Sequence, residues 1–294
     1  MGGEAAGAMV RGGAIFACLL LTACSNEARV RVGSKNFSEQ LVLGEIVAQH
    51  LEHRLGGRVS RKLDLGGTLL AHQALVSGAI DVYPEYTGTA LTAVLKLAPS
   101  KDPAAVLSEV RSGYRKWGLE WLKPLGFENT FAMVVRREDA GNGAPDLTHA
   151  AQARKWKLGA GYEFAHRPDG LPGLISTYGL QLSGAPKTMD LGLLYRALEK
   201  KQVDMAAGNS TDGLLSVLPV TALADDRRYF PPYDCALVVR EEAEAKFPRL
   251  KAALEELSGK IDGATMRRLN YELDGEHRPA REIARGFLAS VGLR

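Results

Sequence analysis

Cysteine is almost missing from this chain. Only three of the 294 residues are Cys. Two of them, Cys18 and Cys24, fall within the first two dozen positions, so the rest of the chain keeps Cys235 alone and no intrachain disulfide is open to it. The fold must be held by its core, and Cys235 reads as a small buried apolar residue rather than a nucleophile. Long apolar runs are lacking too. The stretch Ala14 to Leu21 is far short of the roughly 20 residues that a membrane-spanning helix needs. A basic stripe is absent: the formal net charge is +3, and Lys and Arg are spread along the sequence. This describes a mildly basic surface and gives no footprint for nucleic acid. Enzyme signatures are missing as well, with no phosphate loop, dinucleotide Gly motif, Gly-x-Ser-x-Gly elbow or His-Glu-x-x-His helix.

What is present begins with an export signal. Arg11 precedes the apolar run, and Thr22-Ala23 leads into Cys24. Leu21-Thr22-Ala23-Cys24 resembles the lipobox of bacterial lipoproteins, which implies that residues 1–24 form a signal peptide whose Cys24 becomes the lipidated first residue of the mature protein. Each acyl carbon then contributes about 0.8 kcal/mol on burial in a membrane. Met9 is a second plausible start. The plainer alternative is a soluble secreted protein in which Cys24 has no role.

With 46% hydrophobic and 24% charged residues, the remainder has the composition of a folded globular protein, long enough for one large or two ordinary domains. Arg29 to Gly33 alternates like a strand, and Ser38, Glu39 and Gln40 open a helix carrying Leu41, Leu43, Ile46 and Val47. Val59 to Leu65 reads as a strand ending at Gly66-Gly67, Thr68 as the cap of a helix through Val76, and Ile80 to Tyr83 as the next strand. This alternation predicts α/β layers with a largely parallel sheet and ligands at the strands' C-terminal ends. Ala74-Leu75 before Ile80-Asp81-Val82 is echoed by Ala197-Leu198 before Val203-Asp204-Met205, as two lobes on one plan would produce. The apolar stretches Met133 to Arg136 and Leu237 to Arg240 are expected to cross between the lobes. Glu138 to Pro145 reads as a surface connection, and Lys246 to Arg294 as helices packing on the first lobe.

His50 and His53 share a helix face, but no further ligand type joins them, so a solvated surface is the better reading. Aromatic residues at loops and strand ends are more telling. Tyr86, Phe131 and Tyr233 offer π-faces that bind cations without a counter-charge, each good face contributing roughly 0.5 to 2 kcal/mol. Taken singly, each is more often a core residue.

Read together, several runs resemble one family. They are Val32-Gly33-Ser34-Lys35-Asn36-Phe37-Ser38-Glu39-Gln40, Leu65-Gly66-Gly67-Thr68, Ile80 to Thr89, Gly126 to Phe131, Glu163 to Gly170, Ser210-Thr211-Asp212-Gly213, Phe230 to Asp234 and Leu269-Asn270-Tyr271. In this order they are similar to the glycine betaine/carnitine/choline-binding proteins of osmoprotectant ABC importers, over nearly everything after residue 29. The resemblance implies an α/β type II periplasmic-binding-protein fold. Lobe I would comprise residues 29–131 plus 236–294 and lobe II residues 132–235, joined by a hinge of two crossing strands.

It also implies a trimethylammonium cage at Tyr86, Phe131, Asn209 and Tyr233. Phe131 stands where the family has Tyr and keeps the face. Asn209 stands where relatives can carry another Tyr and removes a face, which opens the cage to bulkier betaines of the ergothioneine or carnitine type. The family's carboxylate donors match Lys35, Thr89 and Arg167, with Gln40 and Thr68 as additions from helix starts. Without the resemblance, Lys35 and Arg167 would read as solvated surface residues. Arg grips a carboxylate with two prongs and Lys with a point charge.

The resemblance further implies a monomeric, non-enzymatic substrate-binding lipoprotein with no cofactor or metal. Its ligand would be a quaternary-ammonium compound, captured by hinge closure and delivered to a membrane permease. Two alternatives remain: a secreted enzyme working through Asp212 and His166, and a sensor or structural lipoprotein whose cleft has lost its ligand.

Overall fold

The computed structural model describes residues 1–3, 29–57, 59–140 and 146–294. The expected signal segment after residue 3, with Cys24, and residues 141–145 of the expected connection lie outside the described residues.

The chain first lays down β1 (Val30–Gly33), α1 (Ser38–Leu55), β2 (Val59–Lys62), α2 (Thr68–Val76) and β3 (Val82–Tyr86). Next come α3 (Thr87–Thr89), running into a π-helical turn, α4 (Pro103–Tyr114) and β4 (Leu119–Glu128). A second α/β unit follows: β5 (Phe131–Arg136), α5 (Leu147–Ala153), β6 (Leu158–Ala160), α6 (Leu171–Tyr178), β7 (Lys187–Thr188), α7 (Leu194–Glu199), β8 (Met205–Asn209) and β9 (Val220–Ala222). The chain closes with β10 (Asp234–Arg240), α8 (Glu241–Lys246), α9 (Leu250–Glu255), α10 (Gly263–Asp274) and α11 (Ala280–Ser290).

Two five-stranded sheets result, in the orders β2-β1-β3-β10-β4 and β7-β6-β8-β5-β9. Each is mixed rather than largely parallel. In both, three neighbouring strands are parallel, and the fourth in the order, β10 or β5, is antiparallel to its neighbours on either side. The cause is the crossing. β1, β3 and β4 run toward the cleft between the lobes, as do β6, β8 and β9 in theirs. A strand entering from the other lobe starts at the cleft and must run away from it.

The expectation that Met133 to Arg136 and Leu237 to Arg240 themselves cross is corrected. These residues lie wholly within β5 of the second sheet and β10 of the first, because an apolar run of that length fills one ladder. The chain passes between sheets in the short stretches before them, at Asn129-Thr130 and between β9 and β10.

The echo of the two Asp residues has a structural counterpart. The Asp81 and Asp204 amides bond the carbonyls of Arg31 and Lys157, residues at equivalent places in the two lobes.

Helix α1 is the axis of the first lobe. Val42, Leu43, Ile46, Val47 and Leu51 are buried with Val30 and Val32 on one side and with Leu254, Leu269, Ile283 and Phe287 of the C-terminal helices on the other. Each such side chain contributes roughly 1.5 to 3 kcal/mol relative to exposure. Wrapping by α9, α10 and α11 also corrects the surface reading of His50. It is fully buried, with Nε2 2.8 Å from the Ala253 carbonyl, while His53 is exposed. α10 does more than pack on the first lobe, since its Asn270 and Tyr271 also lie against Thr211 and Gly213 of the second.

Candidate functional site: the interlobe cleft

The site begins where β1 ends. Lys35, just past that strand, is 3% exposed, and its Nζ lies 2.5 Å from Glu85 Oε1 and 3.2 Å from Thr68 Oγ1. Glu85 is fully buried. A buried pair of this kind resists loss of one partner at a cost of about 3 to 5 kcal/mol, so Lys35 is fixed in place.

Thr68 was read as the cap of α2 and proves to be its first residue, after Gly67. The capping group comes from the other lobe. Glu163 Oε1 accepts from the Thr68 amide at 2.5 Å and Oε2 from its hydroxyl at 2.8 Å. Burial works against ionisation of Glu163, but the charge of Lys35 and the two Thr68 donors outweigh it and hold the carboxyl below its usual range.

From the same stretch of lobe II, Arg167 reaches into lobe I, with Nη1 3.2 Å from Thr89 Oγ1. Its own lobe holds it through a two-pronged contact with Asp169, whose Oδ1 is 2.9 Å from Arg167 Nε. Burial disfavours both charges. The mutual attraction prevails, keeping the Arg167 guanidinium charged and, with the Tyr233 hydroxyl, holding the Asp169 carboxyl below its usual range.

Beside these charges stand the aromatic faces. Phe131, at the start of β5, packs edge-on to Tyr233, with ring centres 5.6 Å apart, and to Phe164 at 4.8 Å. The Tyr233 hydroxyl donates to Asp169 at 2.6 Å, which sets the plane of the ring. Its position depends on Gly88. A β-carbon there would lie 2.6 Å from the Pro232 carbonyl oxygen and 2.8 Å from the Tyr233 ring. Tyr86 ends β3, and its ring lies along Phe37 at 6.3 Å. Arg167 Cζ is 5.2 Å from the Phe131 ring centre and 5.9 Å from that of Tyr233, and Lys35 Nζ is 5.0 Å from that of Tyr86. Cationic donors and π-faces are therefore interleaved within a few ångströms, the spacing of the two ends of a small zwitterion.

The opposite wall is polar. Asn209, paired with Phe131 across the β5–β8 ladder, also lines the cavity. Asp212 Oδ2 accepts from the Asn209 backbone N–H and the Tyr195 hydroxyl, both at 2.8 Å. Burial pushes the Asp212 carboxyl up to about 6.

Of the residues expected at the site, Lys35, Thr68, Tyr86, Thr89, Phe131, Arg167, Asn209 and Tyr233 all line one cavity of about 730 Å³ between the lobes. Gln40 does not, and its expected role as a ligand donor is corrected. Its Oε1 accepts from the Lys35 amide and its Nε2 donates to Tyr86 Oη, so both ends of the amide are used behind the wall. His166 is exposed and outside the cavity lining, so the Asp212–His166 pair that an enzyme would use is not assembled. The sequence reading gave no role to Glu39, Glu85, Glu163 or Asp169, although all four lie within the runs that carry the family resemblance. Glu163 and Asp169 flank Arg167 in sequence, which could have marked them; nothing local marks Glu85, 50 residues from Lys35, or Glu39.

A ligand-sized cleft between two mixed α/β lobes, lined from both sides, defines a solute-capturing protein. Residues 28–290 match the family described as the substrate binding domain of the ABC-type glycine betaine transport system, and the chain belongs to that family. It is 35% identical to the glycine-betaine-binding protein of Pseudomonas aeruginosa over 88% of this chain and 86% of the relative. It is 32% identical to the carnitine transport binding protein OpuCC of Listeria monocytogenes, over 94% and 95%. Among solved structures, that of a glycine betaine/carnitine/choline ABC transporter protein superposes with a TM-score of 0.74 at 32% identity, covering 90% of this chain and 99% of the other. The family and these relatives are solute-binding proteins of transporters, not enzymes. No helix among the described residues is long and apolar enough to cross a membrane.

Proposed function

We propose that this protein captures a small quaternary-ammonium solute, of the glycine betaine, choline or carnitine type, between its lobes and delivers it to a membrane permease. The observation that carries this reading is the convergence of Tyr86, Phe131 and Tyr233 on the cavity that Lys35 and Arg167 also line. A methylated ammonium forms no hydrogen bonds, so it loses little on leaving water for aromatic faces. A carboxylate at the ligand's other end meets Lys35, Thr89 and Arg167 through charge-assisted bonds of about 1.5 to 3 kcal/mol.

The division into lobe I (29–131 with 236–294) and lobe II (132–235) belongs to this reading; sheet membership supports it to within a few residues, since Phe131 already opens β5 of the second sheet and Asp234-Cys235 open β10 of the first. A monomeric state and anchoring through a lipidated Cys24 belong to it too, the latter supported by the Leu21-Thr22-Ala23-Cys24 pattern. A bulkier betaine such as ergothioneine is a second reading. Asn209 favours it, because the cavity wall is polar where a fourth ring would close the cage.

The test is calorimetric titration of the mature chain, from Ser25, with glycine betaine, choline, carnitine and ergothioneine. Saturable binding of one of them, weakened at least tenfold by Tyr233→Ala, is the expected result. Absence of binding to all four, or binding indifferent to Tyr233→Ala, overturns the cage.

A further inference from the structure

Five carboxylates of the described residues are buried: Glu39, Glu45, Asp81, Glu85 and Asp169. Four have a cation. Glu45 pairs with Arg61, Asp81 with Arg31, Glu85 with Lys35 and Asp169 with Arg167. Among the described residues Glu39 has none, and of the five it is the one that lines the ligand cavity.

Uncharged donors hold it instead. Oε1 accepts from the Tyr86 hydroxyl at 2.7 Å and from Asn129 Nδ2 at 2.9 Å, and Oε2 from the Thr211 hydroxyl at 2.5 Å and from Asn270 Nδ2 at 3.0 Å. These four come from a cage ring, a stretch crossing between the lobes, lobe II and α10. Four donors saturate a carboxylate, and a protonated or amide form sets its own donor against them unless the Tyr86 or Thr211 hydroxyl turns to accept. The arrangement is built for an anion, yet a buried charge without a counter-ion is costly.

We infer that Glu39 is the counter-charge of the bound ligand. It positions the Tyr86 ring through its hydroxyl, and the ligand's quaternary ammonium supplies the positive charge that no neighbouring side chain provides. The inference rests on the cation-binding reading above and adds to it a formal charge behind the π-faces. The ammonium makes no hydrogen bond to Glu39, so the attraction is Coulombic and acts across the Tyr86 ring through a poorly polarisable interior.

Binding and ionisation are then linked. Burial pushes the Glu39 carboxyl up, and the bonds from Thr211, Tyr86, Asn270 and Asn129 only partly offset it. A cation arriving at the cage favours the ionised form, so binding expels a proton wherever the free protein holds one, and affinity falls as pH falls. The other groups facing this region are Tyr86 and Cys235 on adjacent strands, Lys35 near the Tyr86 ring, Asp212 of lobe II, Asp274, which accepts from Ser38 beside Glu39, and His277, which lines the cavity near Asp274. Of these, the Asp212 carboxyl is also pushed up by burial, to about 6, and needs its own control.

The experiment is titration calorimetry of wild type, Glu39→Gln and Asp212→Asn with choline and with glycine betaine from about pH 8 to about pH 5, ligands whose charge is constant over that range. It is run in two buffers of different ionisation heat to count protons. Expected are a loss of affinity with falling pH and proton release in wild type, persistence of both in Asp212→Asn, and in Glu39→Gln a roughly 10- to 100-fold weaker and pH-independent affinity. A purely structural Glu39 would lower the melting temperature of Glu39→Gln and leave the ratio of affinities at the two pH values unchanged, which overturns the inference. If Glu39→Gln fails to fold, the proton count in Asp212→Asn decides: no linked proton sinks the proposal. Binding that is normal but flat in pH removes this inference alone, whereas binding of neither ligand by wild type at any pH removes the cation-binding reading with it.

Discussion

Glu163 of one lobe caps the helix that begins at Thr68 of the other, accepting hydrogen bonds from both its amide and its hydroxyl. Helix α2 carries no capping side chain of its own, so its start is completed only when the lobes meet. Helix capping and the contact between the lobes are thus one and the same pair of hydrogen bonds.

Glu163→Ala removes that contact without touching a cage ring. A lost cap costs about 0.5 to 2 kcal/mol, which here is lost from the closed state. Stopped-flow measurement is expected to show ligand dissociation accelerated about 2- to 30-fold, with a melting temperature of the ligand-free protein close to wild type. An unchanged dissociation rate would show that closure does not use this contact.

Gly88→Ala places a methyl group against the Pro232 carbonyl and the Tyr233 ring, so either the ring or the Phe230–Tyr233 segment must move. Overpacking of this kind costs about 1 to 3 kcal/mol. Both a lower melting temperature and weaker ligand binding are expected. Loss of one without the other would separate Gly88 from the placement of Tyr233.

Arg167→Lys keeps the charge but gives up the two-pronged grip on Asp169 and the reach to Thr89. Bidentate sites do not tolerate this exchange. Affinity for glycine betaine is expected to fall by tenfold or more, and affinity for choline, which has no carboxylate, by less. Equal losses for the two ligands, read by calorimetry, would argue against a carboxylate role for Arg167.

The pH dependence of the ligand-free protein should carry the mark of Asp212. Its folded-state carboxyl is pushed up to about 6 by burial, so between about pH 4 and pH 6 the folded state holds a proton that the unfolded chain has released. Stability contributed by this group therefore falls as pH rises through that window, and the penalty is complete above it. Asp212→Asn is expected to stabilise the ligand-free protein near neutral pH and to flatten this part of the profile in urea unfolding. A profile identical to wild type would show that Asp212 does not titrate there.

The line between what could and could not be read in advance follows range. The start of α1 at Ser38 was legible, because Glu39, Gln40 and the spaced apolar residues act over a few positions. Aromatics at strand ends marked the cavity wall for the same reason. The role of Thr68 was misassigned because its capping partner lies 95 residues away. A helix start suggests a ligand donor at Gln40, while its actual partners, Lys35 and Tyr86, hold both ends of its amide behind the wall. His50 looked solvated because nothing local announces that three C-terminal helices close over it.

The sequence by itself determined the α/β alternation, the lack of any disulfide outside the signal segment, the family, and eight of the side chains that meet in the cavity, for these depend on composition, local periodicity and ordered motifs. Tertiary structure alone decided which carboxylate neutralises which cation, where the chain crosses between the lobes, and that Glu39 meets only uncharged donors among the described residues. Charge pairing in a buried cleft depends on which groups lose water together, and that is settled only when segments far apart in sequence share the same interior.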